Sequence, residues 1–231
     1  MSIAQKIIVA LDFNNETQAL EMVDAIGGEL KFVKIGMELY YSCGPQIVEK
    51  LKKKNLNLFL DLKLHDIPTT VCKSLKFINQ LGVDMVNVHA AGGIEMMKAA
   101  SEAISDDMLL IAVTQLTSTS PQMLHDELLI NKDIFETVVK YAHNAQSAGV
   151  NGVVASPIEV PLIHKTCGQG FITVTPGIRP KDTAINDQKR SLTPAEAIAN
   201  GSDFLVVGRP ITKSSNPALA FESILKEIQN A

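Results

Sequence analysis

The 231-residue chain is poor in cysteine and has no long apolar run near its amino terminus. Its three cysteines, Cys43, Cys72 and Cys167, are an odd number without metal-type spacing, so neither a disulfide framework nor a zinc site is expected. The apolar stretch from Ile7 to Leu11 is too short for a signal-peptide core or a membrane span. These absences predict a soluble, cytoplasmic protein without a membrane partner.

The chain also lacks a surplus of positive charge, because its formal net charge is -4 at pH 7. We therefore expect no broad basic surface that could hold nucleic acid, and any anionic ligand must meet positive charge gathered locally. No low-complexity linker divides the sequence, and a hydrophobic content of 46% suffices for one substantial core. A single domain over residues 1–231 is predicted.

Short apolar runs alternate with amphipathic segments along the chain, a pattern typical of parallel strands joined by crossover helices. The predicted strands are Lys6–Leu11, Phe32–Ile35, Leu56–Leu62, Met85–His89, Leu109–Val113, Gly152–Ala155, Phe171–Thr175 and Phe204–Val207. The predicted helices are Glu16–Ile26, Pro45–Lys54, Thr69–Leu81, Gly93–Ile104, Ile134–Ala148, Ile158–Cys167, Pro194–Asn200 and Pro217–Gln229. Thr193 with Glu196 forms an N-cap signal, and Gly149 and Gly201 follow predicted helix ends.

These alternations favour a closed (β/α)8 TIM barrel over a doubly wound open sheet. An open sheet usually carries a glycine-rich dinucleotide-binding turn after its first strand, and here the sequence at that point is Asp12-Phe13-Asn14-Asn15. In a barrel the carboxyl ends of the strands meet at one mouth, where the chemistry lies. Charged or polar residues stand at these predicted strand ends, namely Asp12, Lys34, Asp61, Lys63, His89 and Arg209.

The third predicted strand carries the most informative motif, Asp61-Leu62-Lys63-Leu64-His65-Asp66. Alternation with a period of two turns the leucines toward the helices, and it turns Asp61 and Lys63 toward the barrel axis. These two charges alone fit an ion pair that caps the core as well as they fit catalysis. Asp66, three residues further on, extends them to an Asp-Lys-Asp cluster with excess negative charge beside a ligand.

An Asp-Lys-Asp cluster at the barrel mouth suits decarboxylation. A Schiff-base lysine must be neutral, whereas flanking carboxylates favour the charged ammonium of Lys63. That ammonium can stabilise a developing carbanion and then protonate it, while the carboxylates disfavour a substrate carboxylate beside them. No cofactor is needed or expected. A metal site is an alternative that the interposed Lys34 and Lys63 disfavour, and its candidate ligands are Asp12, Asp61, Asp66 and His89.

Two loops after the seventh and eighth predicted strands combine glycine with arginine, at the usual phosphate-binding position of such barrels. They read Thr175-Pro176-Gly177-Ile178-Arg179-Pro180 and Gly208-Arg209-Pro210-Ile211-Thr212. Glycine lets the backbone approach an anion closely, and arginine can pair with phosphate through two hydrogen bonds. The polar stretch 180–190 is predicted to fold over the phosphate as a lid, with Gln188 as a donor.

Together these motifs resemble bacterial members of the orotidine 5'-phosphate decarboxylase family. The resemblance spans nearly the whole chain in order. Its blocks are Val9-Ala10-Leu11-Asp12, Asp61-x-Lys63-x-x-Asp66, Val86-Asn87-Val88-His89-Ala90, the stretch from Thr173 to Pro180, and Val207-Gly208-Arg209-Pro210. The Asp-x-Lys-x-x-Asp pattern occurs in a wider group of sugar-phosphate barrels, whereas the ordered set is specific.

The resemblance implies conversion of orotidine 5'-monophosphate to UMP and CO2 in pyrimidine biosynthesis, without cofactor or metal. Lys63 is then the proton donor to C6 of the pyrimidine, and Asp61 and Asp66 complete the charged array. The family also implies a homodimer in which Asp66, Ile67 and Thr70 of one copy lie near the other copy's site. The implied substrate-binding residues are Asp12, Lys34, Thr70, Thr117, Arg179, Gln188, Gly208 and Arg209.

Two other functions stay open at this point. A metal-dependent keto-gulonate phosphate decarboxylase resembles the strand-three motif, but it has an acidic metal ligand at the end of strand two, where this chain has Lys34. A non-catalytic barrel would use the charged mouth only to recognise a phosphorylated ligand.

Overall fold

Parallel strands close into a barrel in the computed structural model of the chain, which describes residues 2–180 and 191–230. Each strand pairs with the next along the sequence, and β8 pairs with β1 to close the ring. The predicted (β/α)8 barrel is therefore confirmed. The strands are β1 Ile7–Leu11, β2 Phe32–Gly36, β3 Asn57–Leu64, β4 Met85–His89, β5 Leu109–Val113, β6 Gly152–Val154, β7 Ile172–Thr175 and β8 Phe204–Val207.

Helices surround the barrel and connect successive strands. They are α1 Ile3–Lys6, α2 Glu16–Ile26, α3 Met37–Cys43, α4 Gln46–Lys52, α5 Pro68–Gln80, α6 Gly93–Ser101, α7 Ile134–Ser147, α8 Val160–Cys167, α9 Pro194–Ala199, α10 Arg209–Thr212 and α11 Pro217–Gln229. A 3-10 turn at Ala90–Gly92 and a π-helical turn at Met123–Glu127 complete the described structure. None of the described helices is both long and apolar enough to span a bilayer.

The alternation of side chains across each strand builds two apolar layers. Inward-facing residues such as Ile8, Phe59 and Val206 form the smaller cluster inside the barrel. Outward-facing residues such as Val9 and Leu60 join the helices in the larger cluster around it. Both layers are needed because a parallel barrel buries its strands on both faces. Polar side chains that face inward at the mouth are therefore exceptions to the pattern and mark a site.

Three short helices and several element ends differ from the sequence predictions. Strand β1 begins at Ile7 instead of Lys6, because Lys6 ends α1. Helix α3 was not predicted because only Leu39 in it is buried, so it shows no repeating apolar face. Helices α1 and α10 have four residues each, which is too short for a helical period to show in the sequence.

The predicted helix-end signals are confirmed. Thr193 caps α9 with a reciprocal capping box, since its side chain accepts from the backbone N–H of Glu196 and the Glu196 carboxylate accepts from that of Thr193. Gly149 and Gly201 follow α7 and α9 with φ of 80° and 97°, in the left-handed region that favours glycine. These signals fix where α7 and α9 end before the strands that follow.

Candidate active site

The first three strands bring four charged side chains to the mouth of the barrel. Lys34 lies beside Ala10 in the register of β1 and β2, and Asp61 lies beside Gly36 in that of β2 and β3. Asp12 comes directly after β1, and Lys63 lies two residues beyond Asp61. Parallel strands end at the same edge of the barrel, so these four residues meet although up to 51 positions separate them in the sequence.

The four charges alternate in sign and form one connected network. The Lys34 Nζ lies 2.9 Å from Asp12 Oδ1 and 3.3 Å from Asp61 Oδ2. The Lys63 Nζ lies 2.7 Å from Asp61 Oδ1. Lys34 and Asp61 are each only 8% exposed, whereas 27% of the Lys63 side chain and 59% of the Asp12 side chain reach solvent. The buried pair in the middle therefore holds a more exposed partner at each end, half-buried Lys63 and exposed Asp12.

Both central groups keep their charges despite burial. Burial by itself would raise the pKa of Asp61, but the ammonium groups of Lys34 and Lys63 and two hydrogen bonds hold that pKa below its ordinary value. Burial would likewise lower the pKa of Lys34, and the carboxylates of Asp61 and Asp12 instead raise it. A carboxylate and an ammonium thus face each other at the cavity wall over the neutral pH range.

The mouth end of β3 departs from regular pairing where the network lies. Leu60 pairs with Val86 and Leu64 pairs with Val88, so a bulge falls between them. Lys63 has φ of 52°, in the left-handed region that is uncommon for residues other than glycine. The prediction that both Asp61 and Lys63 face the interior is met, but the bulge, and not strict alternation, sets the direction of Lys63.

Asn87 on β4 lies opposite this bulge and was not singled out by the sequence analysis. It is fully buried, its Nδ2 donates to Asp61 Oδ1 at 2.7 Å, and its Oδ1 accepts from the Lys63 backbone N–H at 2.7 Å. A polar residue at an inward position, between Val86 and Val88, was the available signal.

A cavity of about 230 Å³ opens beside the network and extends toward β5 and β6. Lys34, Asp61 and Lys63 form its charged wall, and Thr117, a predicted substrate contact, also lines it. Gln115 also lines this cavity and is 9% exposed, although the sequence analysis did not select it. A mixed wall of charged, amide and apolar groups suits a polar heterocyclic ring.

A second cavity of about 390 Å³ adjoins the first, and the two share Lys34, Pro176 and Val206 as lining residues. The predicted phosphate-side residues Arg179, Gly208 and Arg209 line it together with Asp12. Lys213, which the sequence analysis missed because it lies beyond the glycine-arginine turn, adds a further cation. With Lys34, four cationic side chains line this cavity, which makes it suitable for a phosphate.

The remaining predicted residues lie apart from the network or outside the described chain. Asp66, Ile67 and Thr70 are exposed, and the Asp66 Oδ1 accepts from the backbone N–H of Ile67 at 2.6 Å. The structure therefore brings Asp61 and Lys63 together and leaves Asp66 on the surface of this chain. Gln188 lies outside the described residues.

The proposed metal ligands do not gather into a metal-binding group. Asp12 and Asp61 both pair with Lys34, which lies between them. Burial first, then His65 and Lys63, lower the pKa of His89, whose ring centroid is 5.6 Å from that of His65. Across residues 2–180 and 191–230, no three His, Cys, Asp or Glu side chains are arranged to hold a metal ion. This geometry favours a site built on ammonium groups.

Comparison with known proteins identifies the family. The profile of the "Orotidine 5'-phosphate decarboxylase / HUMPS family" matches residues 5–224. The chain belongs to this family. The predicted resemblance is thereby confirmed over nearly the full length of the chain.

Relatives within the family are similar along nearly their whole length. The orotidine 5'-phosphate decarboxylase of Streptococcus thermophilus is 51% identical over 222 residues, covering 94% of each chain. That of Staphylococcus saprophyticus is 50% identical over 220 residues, covering 94% of this chain and 95% of the relative. The crystal structure of the Lactobacillus acidophilus protein of the same name superposes with a TM-score of 0.86 at 40% identity, covering 97% of this chain and 99% of that one.

Proposed function

We propose that the chain converts orotidine 5'-monophosphate to UMP and CO2 without a cofactor, as a step of pyrimidine biosynthesis. The observation that carries this proposal is the Lys63 ammonium, paired with a buried Asp61 carboxylate at the wall of a cavity that adjoins a cationic pocket. Relatives about 50% identical bear the name of this decarboxylase. The two joined cavities match a substrate with a polar ring at one end and a phosphate at the other.

The network supplies what the chemical step requires. The phosphate binds among Arg179, Arg209 and Lys213, and the pyrimidine enters the cavity beside Lys63. The C–C bond to the carboxylate breaks, CO2 leaves, and the electron pair stays on C6. The Lys63 ammonium stabilises this pair and then gives it a proton, and solvent reprotonates the amine. Asp61 disfavours a carboxylate placed beside it, which favours the loss of CO2.

The position of Lys34 separates this proposal from the metal-dependent alternative. Its Nζ bridges Asp12 and Asp61, so the Lys34 ammonium already supplies the positive charge that a metal ion would supply between these carboxylates. A fixed ammonium also needs no reorganisation when charge develops on the substrate. Lys34 lines both cavities and its partner Asp12 lines the second, which supports the role of these two residues in binding the ribose between ring and phosphate.

We further propose that a second copy of the chain completes the site. Asp66 extends the motif Asp61-x-Lys63-x-x-Asp66 but lies on the surface of its own chain. Ile67, next to it, is 65% exposed and is therefore available for apolar contact with a second copy. In that arrangement Asp66 and Thr70 of one copy reach the cavity of the other.

The test follows the ultraviolet absorbance of orotidine 5'-monophosphate with purified protein in the presence of a chelator. We expect turnover by the wild-type protein, and we expect Lys63→Ala to lower kcat by at least about 10³-fold because both charge stabilisation and the proton donor are lost. UMP should still bind to the variant, since the phosphate and ribose contacts remain.

Lys52→Ala is the matched control for this experiment. Lys52 has a similar side-chain exposure, 35%, and its Nζ pairs with Asp84 at 2.9 Å away from both cavities. This variant should keep the wild-type kcat. Undiminished turnover by Lys63→Ala would contradict the mechanism, and turnover that strictly requires added magnesium would favour the metal-dependent alternative. Tight UMP binding without any turnover would identify a binding protein.

A further inference from the structure

Asn87 lies opposite the irregular part of β3. Between the paired positions Leu60–Val86 and Leu64–Val88, strand β3 has three residues, from Asp61 to Lys63, whereas β4 has only Asn87. The extra residues of the bulge cannot all pair with β4, so the backbone N–H of Lys63 needs another acceptor. The Asn87 Oδ1 is that acceptor, at 2.7 Å.

The same amide also holds the side chain that Lys63 pairs with. The Asn87 Nδ2 donates to Asp61 Oδ1 at 2.7 Å, and the Lys63 Nζ lies at 2.7 Å from that same oxygen. One side chain therefore fixes both the backbone from which Lys63 extends and the carboxylate to which its ammonium binds. Because Asn87 is fully buried and rigidly bonded at both ends of its amide, small movements of either partner are resisted.

The backbone of Lys63 requires such support. Its φ of 52° is uncommon for a residue with a Cβ atom, and residues in this region persist where their surroundings hold them there. A return to extended backbone would turn the side chain out of its present direction. Asn87 lines neither the cavity beside Lys63 nor the adjoining cationic cavity, so a direct contact with the ligand is not its role.

We propose that Asn87 is a positioning residue for the reaction, which holds the bulged Lys63 backbone and the Asp61 carboxylate so that the ammonium points into the cavity. This inference rests on the proposed decarboxylation for its kinetic consequence. The dependence of the Lys63 conformation on Asn87 can be tested whatever the substrate is.

The experiment compares Asn87→Leu and Asn87→Ala with the wild-type protein. Leucine keeps most of the volume and loses both hydrogen bonds, whereas alanine loses both bonds and the volume. We expect kcat for orotidine 5'-monophosphate to fall about 100-fold in both variants, because misplacing a reacting group by about 1 Å has an effect of that size. KM and the affinity for UMP should change little, since the phosphate and ribose contacts are untouched.

Asn151→Ala is the matched control. The Asn151 Oδ1 also accepts a backbone N–H from a neighbouring strand, that of Leu110 at 2.8 Å, and it lies away from both cavities. If these amides only support neighbouring strands, the Asn151 and Asn87 variants should lose stability alike and keep their kcat. If Asn87 positions Lys63, only the Asn87 variants should lose kcat.

Crystal structures of the Asn87 variants give a readout that does not depend on activity. We expect the Lys63 φ to leave the left-handed region or its Nζ to move out of hydrogen-bonding distance of Asp61. An unchanged Lys63 in the variants, a wild-type kcat, or a failure of both variants to fold while Asn151→Ala folds would each overturn the inference. If the wild-type protein does not decarboxylate orotidine 5'-monophosphate, the proposed function fails, and the crystal structures still decide the role of Asn87.

Discussion

Asp61 is a buried carboxylate whose charge depends on its neighbours. Lys34 and Lys63 face it from β2 and β3, and Asn87 donates to it from β4. Removing a buried charge from such a network leaves the opposite charges uncompensated, so the network is coupled to the stability of the barrel as well as to catalysis. This coupling becomes measurable when the free energy of unfolding is followed into acidic pH.

We expect the stabilising effect of Asp61 to disappear in acid. The pKa of this group is lowered in the folded chain, so its contribution is complete above the ordinary value of 3.8 and is lost as the pH falls through the lowered folded value. Urea unfolding of the wild-type protein and Asp61→Asn from pH 7 to pH 3 checks this. The difference in the free energy of unfolding should shrink below about pH 4, and a constant difference would contradict the charge assignment.

Arg209 offers a second prediction at the scale of one residue. Its side chain lines the cationic cavity, so Arg209→Ala should weaken UMP binding by roughly 10- to 100-fold through the loss of charge-assisted hydrogen bonds to phosphate. Titration calorimetry with UMP and with uridine measures this. Uridine lacks the phosphate and serves as the control, and equal losses for both ligands would place the arginine away from the phosphate.

Site residues at the ends of strands could be predicted because the apolar runs in the sequence show where the strands end. Asp12, Lys34, Asp61 and Lys63 were found because a charged residue after an apolar run is visible in the sequence. Asn87 was not selected although its polar side chain is visible between two valines, because its hydrogen bond to the Lys63 backbone depends on a bulge in the neighbouring strand that no local pattern shows. Gln115 and Lys213 line the cavities from loops and turns whose paths depend on tertiary packing.

At the scale of secondary-structure elements, the pattern of apolar residues located all eight strands, and the errors lie at short helices and element ends. A strand of a parallel barrel is apolar on both faces and therefore stands out from its surroundings. Helix α3 lies close after β2 and buries only Leu39, so its formation depends on its place in the fold more than on its own sequence.

Strand β2 ends in a glycine that leaves room for the charge network. A Cβ atom at Gly36 would lie 3.0 Å from the Lys34 Nζ and 3.1 Å from Asp12 Oδ1. Both atoms are the ends of flexible side chains, so we expect Gly36→Ala to shift the pair and to lower kcat/KM roughly tenfold while the protein stays folded. Steady-state kinetics and thermal unfolding measure the two effects.

Gly28→Ala is the control for this substitution, because a Cβ at Gly28 meets no atom within 4 Å. It should leave kcat/KM unchanged. If Gly36→Ala is as active as the wild-type protein, the spacing between Lys34 and Asp12 is not critical for the reaction.

At the scale of the whole molecule, the proposed second copy can be tested by mixing inactive variants. If Asp66 acts in the neighbouring site, a mixed dimer of Lys63→Ala and Asp66→Ala has one site with both residues intact and one with neither. Random exchange of subunits should then restore about a quarter of the wild-type activity. Each variant incubated alone is the control. A mixture that stays as inactive as its components would place Asp66 in its own chain's site.

The barrel divides its chemistry between its two halves. Strands β1 to β4 and the residue after β1 carry the charge network and Asn87, whereas the segments after β7 and β8 carry Arg179, Arg209 and Lys213 of the second cavity. Duplicating the first half would give a symmetric barrel with two charge networks and no anion pocket, and duplicating the second would give the reverse. The halves of this barrel are therefore not interchangeable. An ancestor assembled from two identical half-barrels would have needed to diverge before it could both bind the phosphate and carry out the reaction on one ligand.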